Sequence, residues 1–116
     1  MIKNLNSTEI IDKLEAILNN SNDKSIKILI THLKHWIDEY NRFQKQSKSM
    51  HPNCMAIQAL GCIKSNLCVL QSLDLSNIEY YETLIKVVDK YVQYEINSMD
   101  KKYSSFWREK KIILYE

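Results

Sequence analysis

The sequence predicts an all-α fold, a compact bundle of four main antiparallel helices plus a short C-terminal fifth element, on three observations. Only one Gly and one Pro occur in 116 residues, too few for the tight turns of an all-β chain. Apolar residues recur at helical spacing in four separate segments. The content, 45% hydrophobic and 26% charged in 13.8 kDa, is that of one globular domain, residues 1–116, able to bury a core of its own.

The first helix is placed at 7–19. Asn6 stands three residues before Glu9, as in a capping box, and Ile10, Ile11, Leu14, Ile17 and Leu18 follow at helical spacing until Asn19, Asn20, Ser21 and Asn22 end the run. A second helix, 23–44, carries one long stripe from Ile26 through Leu29, Ile30, Leu33, Trp36, Ile37 and Tyr40. Residues 44–50 are polar and without period. Pro52 then suits the first turn of a third helix, 52–72. That helix is apolar nearly all round, which places it in the middle of the bundle. Gly61 inside it costs about 1 kcal/mol relative to Ala and implies close approach of a neighbouring helix. Ser76 and Glu79 form an S-x-x-E capping box for a fourth helix ending at 97–99, with Tyr81, Leu84, Ile85, Val88, Tyr91, Val92 and Ile96 inward and Tyr80 and Tyr94 outward. Residues 100–116 make the fifth element, helix or strand.

The stretch His51-Pro52-Asn53-Cys54-Met55-Ala56-Ile57-Gln58-Ala59-Leu60-Gly61-Cys62 resembles the second-helix opening of some armadillo-type repeats. The resemblance covers about a tenth of the chain and implies a similarity of helix packing; the flanking segments do not repeat it, whereas a solenoid needs three or more repeats.

Composition excludes several functions. Neither a Walker loop nor a dinucleotide fingerprint can be built with Gly61 alone, so no nucleotide cofactor is implied, and no catalytic motif is present. The net charge of +2 is too near balance to indicate a nucleic-acid or membrane partner. Its distribution is uneven: residues 42–50 are net +3 and residues 100–116 net +2. No apolar run approaches a membrane span and no signal peptide is evident, which gives a cytoplasmic location, or host cytosol or nucleus for a viral protein. Abundant Lys, Ile and Asn with little Ala match an AT-rich genome.

Three constellations invite chemistry. Cys54 in the first turn of the third helix, beside His51, is placed for a lowered thiol pKa as a nucleophile or sensor; the plainer reading is a small buried residue. Cys54, Cys62 and Cys68 are too far apart along one helix to pair with one another, and their spacing is not that of a zinc site. His32, His35, Asp38 and Glu39 recur along one helix but point apart, which makes them a polar shoulder, with no metal implied. The C-terminal segment interleaves Tyr103, Phe106 and Trp107 with Lys101, Lys102, Arg108, Lys110 and Lys111. Such a mixture closes a bundle, anchors a protein interface or binds a nucleic-acid backbone.

The expectation for function is a small non-enzymatic protein that acts through protein–protein interaction, as an adaptor, inhibitor or immunity-type partner. Tyr80, Tyr94, Tyr103, Phe106, Trp107, Arg108, Lys110 and Lys111 are its candidate contact residues. The alternatives are a nucleic-acid-associated regulator using residues 42–50 and 101–111, an armadillo-like interaction fragment, a thiol sensor at Cys54, and self-association.

Overall fold

In a computed structural model the described residues are 8–45 and 50–115 for the backbone and 8–45 and 54–97 for the side chains. Four helices pack together: α1 (Thr8–Asn20), α2 (Lys24–Lys45), α3 (Met50–Leu73) and α4 (Ile78–Tyr115), with a 3₁₀ turn at Leu75–Asn77 before α4. No strand occurs among the described residues. The Asn6 cap of α1 lies outside them.

The short connection between α1 and α2 is built from local hydrogen bonds. Asp23 Oδ1 accepts from the amides of Ser25 (2.8 Å) and Ile26 (3.3 Å), and the Lys27 amide donates to the Asp23 carbonyl. These bonds satisfy first-turn donors that the helix leaves without partners. The expected 44–50 linker is helical at both ends, since α2 runs to Lys45 and α3 begins at Met50, and its residues 46–49 lie outside the described ones. Pro52 therefore sits in the first turn of α3.

The core is the set of stripes read from periodicity. Ile10, Leu14 and Ile17 of α1 meet Ile26, Ile30, Leu33, Ile37 and Tyr40 of α2, together with Ala56, Ala59, Leu60, Ile63, Leu67 and Leu70 of α3 and Tyr81, Leu84 and Val88 of α4, all in one buried cluster. α3 packs against both α2 and α4, while α1 lies against α2. Trp36, Ile85, Tyr91 and Val92 are partly buried against the same cluster, whereas Ile96, expected inward, is 39% exposed, because it lies beyond the turns of α4 that carry the buried stripe.

Several expectations need correction. α3 lies between α2 and α4, as expected, but is not enclosed all round: Met55, Val69 and Leu73 stand exposed. Gly61 is exposed, and a Cβ built on it meets nothing within 4 Å among the described residues, so the expected close approach of a neighbouring helix is not seen there. Cys54 is exposed rather than buried. By length and composition Cys54–Leu73, 20 residues, is also long and apolar enough to cross a membrane, a property shared by core helices, and its inner residues are the buried ones just named. The separate fifth element does not appear as such, since α4 continues as one helix to Tyr115. Its 38 residues correspond to about 57 Å of helix, matching the 56 Å long axis of the molecule.

Candidate functional site

The fourth helix carries most of the expected contact residues, and the structure separates them. Tyr94 is 58% exposed, as its phase on α4 demands. Tyr80 is only partly exposed, contrary to expectation: its ring packs on the core, Lys13 Nζ lies 5.6 Å from the ring centroid, and its hydroxyl is buried without a hydrogen bond. Burial, with the nearby Glu9 carboxylate, pushes its phenol up to about 12. The cause is the long Lys13 side chain of α1, which reaches over the ring. Tyr103, Phe106, Trp107, Arg108, Lys110 and Lys111 fall on the later turns of α4, where side chains lie outside the described residues.

Asp74 is the most densely bonded polar side chain, and periodicity did not single it out. It is 9% exposed. Its carboxylate accepts from Tyr81 Oη (2.7 Å), Ser76 Oγ (2.8 Å) and Asn77 Nδ2 (2.8 Å), while its amide donates to the Leu70 carbonyl (2.8 Å). Burial alone would raise its pKa, but the bonds from Tyr81, Asn77 and Ser76 outweigh it and hold the carboxyl below the usual aspartate range. Ser76 thus lies inside the 3₁₀ turn and bonds to Asp74, so it does not form the expected capping box with Glu79. An open cleft of about 250 Å³ borders this turn, lined by Lys13, Ala16, Ile17, Asn20, Ser21, Asp74, Ser76 and Asn77. Both Asp74 oxygens are engaged within the turn, so the group acts as a fastener between α3 and α4.

A second buried acid, Glu95, is 2% exposed and accepts from Tyr40 Oη at 3.3 Å. Tyr40 also meets Tyr91 edge-on, with ring centroids 5.7 Å apart. Burial, reinforced by the Glu95 charge, pushes the Tyr40 phenol far above its usual value. A lone Glu on the heptad line of Tyr81 and Val88 was the signal available in the sequence.

The remaining constellations do not converge. His35 packs edge-on against Trp36, Asp38 points to solvent, and Glu39 pairs with Arg42 at 2.6 Å. That pairing ties one basic residue of the 42–50 segment back to α2 and holds the Glu39 carboxyl below its usual range. No group of three or more His, Cys, Asp or Glu able to hold a metal occurs among the described residues.

The outer side of α3 differs from the outer sides of its neighbours. α2 exposes Lys24, Lys27, His32, Asp38 and Arg42, and α4 exposes Glu79, Glu82, Lys86, Asp89 and Lys90. Between Cys54 and Leu73 the only charged residue is Lys64, which is bonded to Asp89 of α4 at 2.8 Å.

No protein-family model, curated protein or solved structure matches this chain.

Proposed function

We propose that this protein works by binding another protein, as an adaptor, inhibitor or immunity-type partner, rather than by catalysis. The observation that carries the reading is Tyr94: a large aromatic side chain, 58% exposed, on the wet side of α4. A tyrosine loses little conformational freedom when covered and presents both an apolar ring and a hydroxyl, which is why such residues concentrate in binding energy hot spots. The same helix continues through Tyr103, Phe106, Trp107 and Arg108, residue types enriched at interfaces, and through Lys110 and Lys111, which suit a polar rim. α4 has 38 residues against 24 in α3, so about 20 Å of its length exceeds what α3 can flank.

An up-and-down arrangement with alternating helix directions belongs to the same proposal. It is supported by the short turns after α1 and α3 and by the Lys64–Asp89 pair, whose members lie ten residues before and fifteen after Asp74.

The test compares wild type, Tyr94→Ala and Trp107→Ala in a pull-down from native extract, with and without nuclease. Under this reading a stoichiometric protein survives nuclease and is held at least tenfold more weakly by the variants, whose melting temperatures stay unchanged. A large loss of melting temperature in both variants assigns these residues to the core. Recovery that depends on nucleic acid, and falls steeply with salt, replaces the proposal with one centred on residues 42–50 and 101–111.

A further inference from the structure

We propose that the outer strip of α4 from Lys86 to Lys111 is a docking surface for an acidic protein segment, whose carboxylates meet a row of cations of one sign around Tyr94. It rests on the protein-binding reading of α4 and adds the chemistry of the partner.

Helix register sets the row. Tyr81, Leu84 and Val88 turn one side of α4 into the core, and the opposite side carries Lys86, Lys90 and Tyr94, all exposed. With Lys86 as zero and about 100° per residue, Lys90, Tyr94, Lys101, Arg108 and Lys111 take register positions between about −20° and +80° on the same continuous helix. Five of the seven basic residues of α4 share this side, and none of its acids after Glu79 does. Asp89 pairs with Lys64 of α3, and Glu95 is buried. Glu82 and Asp100 mark one edge of the strip, at about −40°.

The described cations of the row have no acid of their own. Lys34, Arg42 and Lys64 pair with Glu15, Glu39 and Asp89, whereas Lys86 and Lys90 make no ion pair among the described residues. They also stand four apart on the helix, where like charges repel. A carboxylate lying between them removes that repulsion. Tyr94, one turn beyond Lys90 and 58% exposed, adds a ring that the same partner covers.

Charge spacing selects the occupant. A second copy of this chain brings the same cations and is repelled. The strip spans about 38 Å and holds a cation roughly every 9 Å, the separation of carboxylates one or two helical turns apart on a protein. A DNA duplex carries a charge about every 1.7 Å, far denser than the row, and its breadth brings phosphates over Glu82, Asp89 and Asp100 as well.

Titration of labelled poly-glutamate with the full chain tests this chemistry, with a short DNA duplex in parallel. Binding of poly-glutamate is expected, weakening at least tenfold between about 50 and 200 mM salt. A further loss of at least tenfold is expected in Lys86→Glu/Lys90→Glu, with the fold intact by circular dichroism. Lys24→Glu/Lys27→Glu makes the same change in net charge at exposed positions of α2 and should bind nearly as wild type, because distant exposed charges are screened. No binding of poly-glutamate at the lower salt overturns the proposal. An equal loss in the α2 variant also overturns it, by assigning binding to net charge alone. A duplex held more tightly than poly-glutamate replaces the acidic protein with nucleic acid. A stoichiometric protein released by Tyr94→Ala but still held by Lys86→Glu/Lys90→Glu in the pull-down above keeps the protein partner and removes its acidic chemistry.

Discussion

Replacing Tyr81 by Phe removes one oxygen atom from the buried start of α4 and leaves the ring in place. That oxygen donates at 2.7 Å to Asp74, and Tyr81 is fully buried. A hydrogen bond to a charged acceptor contributes about 1.5–3 kcal/mol. Asp74 keeps its bonds from Ser76 and Asn77, which favours the lower half of that range, about 1.5–2 kcal/mol. For a chain of this length the corresponding drop in melting temperature is about 6–8 °C. Urea unfolding followed by circular dichroism measures it, and Asp74→Asn closes a double-mutant cycle whose coupling exceeds about 0.5 kcal/mol if the two groups act on each other. The pH dependence has a definite sign. The folded carboxyl sits below the usual aspartate range, so its contribution is complete above the unfolded pKa near 4 and is lost as pH falls through the lower folded value. The penalty of Asp74→Asn should therefore shrink between about pH 5 and pH 2. A Tyr81→Phe loss under about 0.5 kcal/mol, or an Asp74→Asn penalty equal at both ends of that range, refutes the fastener.

Tyr80→Phe, one residue away, should have the opposite character: its hydroxyl is buried without a partner, so the change is neutral or stabilising by up to about 1 kcal/mol in the same urea assay. Gly61→Ala should raise stability by up to about 1 kcal/mol, because no described atom lies within 4 Å of the added Cβ and Ala is the better helix former; thermal melts check it. Leu67→Ala opens a cavity at a fully buried position facing the core, with an expected loss of about 2–5 kcal/mol by urea unfolding.

Helices were legible because their stripes are local. The spacing of Ile26 to Tyr40, or of Tyr81 to Val88, places a residue on a face before any neighbour is known. For the same reason α1, α2 and α3 begin and end within two residues of their expected bounds. The turn at Ser76 was misread because an S-x-x-E pattern does not reveal a competing acceptor. Asp74 captures the serine, and only the packing of Tyr81 beside it makes that capture favourable. Tyr80 was misread similarly: its phase on α4 points away from the stripe, but the Lys13 side chain of α1 reaches over its ring.

Hydrophobic periodicity and the near absence of Gly and Pro determined that this chain is helical and which residues line its core, since both act within a few residues along the chain. Which surfaces remain uncovered was decided by tertiary structure alone. Apolar character all round α3 suits equally a helix enclosed on every side and one that leaves Met55, Val69 and Leu73 exposed, and the placement of its neighbours settles between them. The same reason left the open space at Gly61, the exposure of Cys54 and the fastening of Asp74 unread, because each depends on which residues distant in the chain meet it and which do not.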